Sequence, residues 1–87
     1  MKRHAKTAFD ALKKMGAPVI YPDMGWGEHF AISGESNHPE IWADYWKGFG
    51  GPGLDGFGVS LKINAVLEKN GLFAEWINAG VLGVYDA

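Results

Sequence analysis

Between His38 and Gly58 the chain reads HPEIWADYWKGFGGPGLDGFG, and no other stretch restricts the fold as much. Its second half carries Gly48, Gly50, Gly51, Gly53, Gly56 and Gly58 around Pro52. Such a backbone turns and admits close approach but does not extend a helix. The first half places Ile41, Trp42, Tyr45, Trp46 and Phe49 at i, i+1, i+4, i+5 and i+8, the spacing of one helical face. Asn37 as N-cap, Glu40 as its capping-box partner and Pro39 in the first turn predict a helix from His38 to about Lys47. That helix must stop at the glycines, and regular structure restarts near Val59.

The flanking segments are read by periodicity. Ala5, Ala8, Phe9, Leu12 and Met15 predict an amphipathic helix from about residue 3 to 15. Gly16 suits a left-handed C-cap there, and Pro18 is a stop two residues later. Residues 18–21 (PVIY) and 29–33 (HFAIS) read as two strands of a hairpin whose loop leaves Trp26 at the surface. A third helix begins at Val59 or Ser60, buries Val59, Ile63, Val66 and Leu67, and closes at Asn70 and Gly71. LFAEWI (72–77) and VLGVYD (81–86) form a second hairpin across Asn78, Ala79 and Gly80, with Gly80 expected at positive φ. Apolar residues on both faces of 72–77 point to a central strand, or to one whose second face a partner covers. The expected fold is a single α+β domain over residues 1–87: a small antiparallel sheet of about four strands, in two hairpins, packed with three helices.

An 87-residue chain has room for one core, and a 47% hydrophobic content can fill it. With no cysteine, a disulfide scaffold and thiolate metal sites are excluded, and a reducing compartment fits. No apolar run nears the roughly 20 residues of a membrane span, and the N-terminal segment lacks the apolar core of a signal peptide. A cytoplasmic protein without membrane contact is the expectation. Residues 1–14 hold five basic side chains against Asp10, whereas residues 15–61 hold only Lys47 against Asp23, Glu28, Glu35, Glu40, Asp44 and Asp55. An acidic middle argues against nucleic acid as a partner. Lys13 and Lys14 are read as complements to the negative end of the first helix.

The same carboxylates, with His29 and His38, are the candidates for chemistry. No HExxH motif is present, and the two histidines stand nine residues apart across a loop, so the spacing itself builds no metal site. No metal or cofactor is expected, nor a melting temperature raised by zinc, manganese or magnesium. His29, next to Glu28, is the imidazole best placed to be oriented by a carboxylate. The pattern G-x-G-x-x-G occurs at Gly48/Gly50/Gly53 and at Gly51/Gly53/Gly56. It follows a predicted helix rather than a strand, so a dinucleotide fingerprint is not supported; anion binding at the start of the third helix stays open.

Two readings of function result. The first is a non-enzymatic binding or interaction module whose surface gathers Trp26, His29, Trp42, Trp46, Gly51 and Gly53; aromatic rings next to bare backbone suit a protein partner, a second copy in a homodimer, or a flat small ligand. The second is a small enzyme or a metal or ligand site built on His29, His38, Glu28 and nearby carboxylates. Core packing is the default for most of the rings, and Trp46 in particular is expected to cost about 3–5 kcal/mol on truncation if its ring is core.

Overall fold

A computed structural model describes residues 1–21, 28–35, 40–47 and 51–87 of the chain. Helix α1 (Arg3–Met15) follows the predicted stripe: Ala5, Ala8, Phe9 and Leu12 are buried, and Met15 is left at the rim. Gly16 ends it at φ 93°, where the left-handed conformation lets its N–H return to the Lys13 carbonyl and the Ala17 N–H to that of Leu12. Strands β1 (Val19–Ile20) and β2 (Phe30–Ser33) pair antiparallel, Val19 opposite Ile32 and Ile20 opposite Ala31.

Helix α2 (Leu61–Lys69) is capped by Ser60, whose hydroxyl accepts from the Lys62 N–H, and it buries Ile63 and Leu67. Gly71, at φ 71°, turns the chain into β3 (Leu72–Asn78), which returns as β4 (Val81–Asp86). The sheet order is β1-β2-β4-β3, with every neighbouring pair antiparallel. Strands β2 and β3 therefore run the same way on either side of β4, and α2 lies on the connection between them. Both helices contribute to one core with the sheet: Leu12 and Phe9 from α1, Ile63 and Leu67 from α2, and Phe30, Ile32, Leu72, Leu82 and Val84 from the strands.

Three expectations are corrected. The described residues contain two α-helices, not three: where a helix over 38–47 was expected, the described part holds only a three-residue 3-10 turn, Tyr45–Lys47. Backbone pairing with a distant segment displaces it. Ala43 bridges Val59, the Asp44 N–H donates to the Gly58 carbonyl at 2.8 Å, and the Ser60 N–H donates to the Trp42 carbonyl at 2.8 Å. The Asp44 carboxylate then accepts from the Trp46 N–H at 3.1 Å, a local turn that competes with helical bonding. Asn37 and Pro39, the proposed helix start, lie outside the described residues, and Glu40 instead pairs with Lys62 at 2.8 Å.

Strand β3 is an edge strand rather than a central one, and Phe73 and Ile77, on the face away from the core, are exposed. Gly80 has no positive φ. A Cβ there would meet the Glu35 carboxylate oxygen at 2.9 Å, so close approach explains the glycine, and the turn is held by the Asn78 amide oxygen accepting from the Gly80 N–H. Near the end of α1, Lys13 hydrogen-bonds the Tyr21 hydroxyl, and its ammonium lies 4.9 Å from that ring's centroid. Among the described residues, no helix is long and apolar enough to cross a membrane.

Candidate functional site

Among the described residues, two places stand out for the groups they gather. The first lies along the β3 edge. Alternation puts Leu72, Ala74 and Trp76 on the helix-covered side of that strand, and Leu72 and Ala74 are filled in against the core. The larger Trp76 reaches further, to an edge-on contact with Tyr45 at 5.6 Å between centroids, and its indole N–H donates to the Phe57 carbonyl at 2.8 Å. Tyr45 in turn meets Trp46 edge-on at 5.2 Å. Between this ladder and the loop before α2 opens a cavity of about 470 Å³ lined by Phe57, Val59, Phe73, Trp76 and Leu82, with Asp55 and Glu75 at its polar side.

The two carboxylates differ in how free they are. Asp55 is engaged by the loop: it accepts from the N–H groups of Phe57 at 2.7 Å and Val59 at 3.0 Å, and from the Asn64 amide at 2.8 Å. This hydrogen bonding holds Phe57 outward, 72% exposed. Glu75 is exposed and forms no ion pair among the described residues.

The second place joins three elements. Asp86, at the end of β4, follows Leu82 and Val84 on the face toward the helices, and its Oδ1 faces the Nε2 atoms of two imidazoles: His4 of α1 at 2.6 Å and His29, just before β2, at 2.9 Å. The rings meet edge-on, 5.4 Å between centroids. His29 is only 6% exposed, whereas the side chains of His4 and Asp86 are 38% and 36% exposed. The hydrogen bond from His4, then that from His29, hold the Asp86 carboxyl down at a pKa of about 2. Backbone contacts fix the group: the Asp86 N–H donates to a Glu28 carboxylate oxygen at 3.1 Å, and the His29 N–H donates to the Val84 carbonyl at 3.2 Å.

The residues singled out by sequence fare differently. Trp42 is buried in the core, 7% exposed, with the Lys62 ammonium 5.6 Å from its ring centroid, so it takes no part in an exposed aromatic patch. Trp46, expected on the same helical face, is 79% exposed. Gly51 and Gly53 serve turn geometry: Gly53 has φ 76°, and their carbonyls accept from the N–H groups of Leu54 and Leu61. The Leu61, Lys62 and Ile63 N–H groups are all bonded within the chain, so the start of α2 offers no cluster of free donors to an anion. Trp26 and His38 lie outside the described residues.

His29 does meet a carboxylate, but that of Asp86 across the fold rather than that of its neighbour Glu28, and no spacing in the sequence ties it to His4. One signal for Asp86 was available: in VLGVYD, alternation places a carboxylate in line with Leu82 and Val84, on the buried face. Nothing comparable marked Glu75 or the reach of Trp76. No family model matches the chain, and no curated protein or solved structure matches it either.

Proposed function

We propose that the protein is a non-enzymatic binding module that takes an extended peptide along the β3 edge, with an apolar side chain in the cavity between Phe57 and Trp76 and a basic side chain against Glu75. The observation that carries this reading is the cavity itself, open beside an edge strand whose outer backbone pairs with no described strand. Strand addition supplies backbone hydrogen bonds, and pockets for alternate side chains supply selectivity. The exposed rings of Phe57, Phe73 and Trp46 offer contact area around it. Charge selects the occupant: Glu75 is exposed and unpaired among the described ion pairs.

A second copy of the chain is the less favourable occupant of this edge. Antiparallel pairing of two β3 strands about their midpoint sets Glu75 against Glu75, and directly opposed like charges destabilise a sheet. Panning a random heptapeptide library against the immobilised protein tests the reading. Enrichment of Arg or Lys beside an apolar residue is expected, with binding lost in Phe57→Ala and in Glu75→Lys. Failure to enrich, or enrichment indifferent to both substitutions, rejects it. Sedimentation velocity on the same sample should show a monomer; a dimer that Glu75→Gln tightens, by removing the opposed charges, assigns the edge to self-association instead.

A further inference from the structure

We infer that His4, His29 and Asp86 form a binding site for one late first-row divalent metal ion of the zinc class, and that the ion acts as a staple between α1 and the strands β2 and β4. One ligand-type atom from each of His4, His29 and Asp86 lies within 4.8 Å of the other two, and the Nε2 atoms of both rings face Asp86 Oδ1. Metal–ligand bonds of about 2.0–2.1 Å place the atoms of a tetrahedral shell roughly 3.3 Å apart. The two nitrogen-to-oxygen separations, 2.6 and 2.9 Å, are already shorter than that, so the carboxylate needs only to swing aside for an ion to take its place between the rings.

The ligand set selects the ion. Two imidazoles and one carboxylate suit zinc, cobalt or nickel, whereas magnesium and calcium take shells made of oxygen. With three protein ligands, the fourth position is left to water, and the partial exposure of His4 and Asp86 gives it access. The surroundings are built in advance. His29 is held in place by burial and by its backbone bond to β4, and the Glu28 carboxylate holds the Asp86 backbone from outside the ligand shell. Outer partners of this kind orient ligands and sustain affinity.

The spacing along the chain explains what such an ion is for. His4 and Asp86 are 82 residues apart and His29 and Asp86 57 apart, so one ion closes two long loops. Closing a long loop removes the most chain entropy from the unfolded state. A small domain without cysteine has no disulfide to do this, and metal affinity for a site present only when folded is itself folding stability. This contradicts the expectation from spacing alone that no metal raises the melting temperature.

The test is calorimetric titration of zinc into the untagged, chelator-treated full chain, with thermal unfolding on the same samples and cobalt absorption as a spectroscopic readout. One equivalent of zinc should bind and raise the melting temperature, and cobalt should show the intense visible bands of a four- or five-coordinate site. Affinity should fall roughly tenfold or more in His4→Ala and in Asp86→Ala. His4 is partly exposed, so His4→Ala decides the matter even if a change at the buried His29 prevents folding. No saturable uptake by the parent chain, or His4→Ala and Asp86→Ala proteins that both bind zinc as the parent does, overturns the assignment.

Discussion

Trp42 and Trp46 stand one helical turn apart in sequence, and the structure sends them to opposite environments: Trp42 is 7% exposed within the core and Trp46 is 79% exposed. The same contrast separates the regions they belong to. In α1 the 3.6-residue period of Ala5, Ala8, Phe9 and Leu12 decides which side chains are buried, because local hydrogen bonding already fixes the backbone. Among the described residues from Ile41 to Leu61, backbone groups are satisfied by partners well beyond a helical turn: Asp44 by Gly58, Ser60 by Trp42 and Leu61 by Gly53. Apolar spacing there describes a helix that does not form, since pairing across the loop outweighs what one short amphipathic turn gains. The helical period predicts burial only where the backbone forms the helix that the period assumes.

The sharpest test of that contrast is the tryptophan pair. Trp42→Ala should destabilise the domain by about 3–5 kcal/mol, the cost of removing a large buried side chain. Urea unfolding followed by circular dichroism measures it, and a loss below about 1 kcal/mol would place Trp42 outside the core. The loop's own hydrogen bonding comes next. Asp55→Ala leaves the Phe57 and Val59 N–H groups and the Asn64 amide without their acceptor, for a loss of about 2–3 kcal/mol. Asp55→Ser, which retains an acceptor, should recover part of it; equal losses in both variants would show that the loop does not depend on that oxygen.

How much of this was legible follows the same division. Gly16 with Pro18, the stripe of α1, the apolar spacing of Ile63 and Leu67 and the closing turn at Gly71 carry their signals within a few residues of sequence, and the pairing of β1 with β2 is legible as a hairpin, without its register. The position of β3 at the sheet edge carries no such signal, because β4 enters between β2 and β3 through pairing partners about 50 residues apart, Phe30 with Val84 and Ser33 with Val81. The candidate sites inherit that difficulty. Trp76 lies in a readable strand, yet the Phe57 carbonyl it bonds belongs to a glycine-rich loop whose course no local pattern specifies. His4, His29 and Asp86 come from three elements, and only the sheet order brings them to one point.

A third substitution probes whether Trp76 is held by its surroundings or merely rests in them. A Cβ built on Gly34 would approach the Trp76 ring carbons Cζ3 and Cη2 at 2.7 and 2.9 Å, and the rigid indole cannot fold away as a flexible chain would. Gly34→Ala is therefore expected to cost about 1–2 kcal/mol through overpacking. It should also displace the indole N–H from the Phe57 carbonyl, shifting the Trp76 Nε1 proton resonance. Unchanged stability together with an unchanged resonance would mean that the backbone at Gly34 gives way readily to the Trp76 ring, and the cavity beside Phe57 would lose its rigid wall.

The smallest expected effect completes the comparison with which the tryptophans began. Trp46→Ala should change stability by less than about 0.5 kcal/mol, because its exposed ring leaves no cavity when removed and its backbone bond to Asp44 survives the change. The Trp46 N–H belongs to the turn, whereas the ring, among the described residues, leans edge-on against Tyr45. The two contributions are separable: Asp44→Ala removes the turn's acceptor and keeps the ring, while Trp46→Ala does the reverse. If the ring is surface and the turn structural, Asp44→Ala is the costlier change, by roughly 1 kcal/mol. Thermal unfolding of the two variants side by side decides it. A larger loss for Trp46→Ala would restore the ring to the packed interior, and the exposed aromatic contact area beside Tyr45 and Trp76 would have to be redrawn without it.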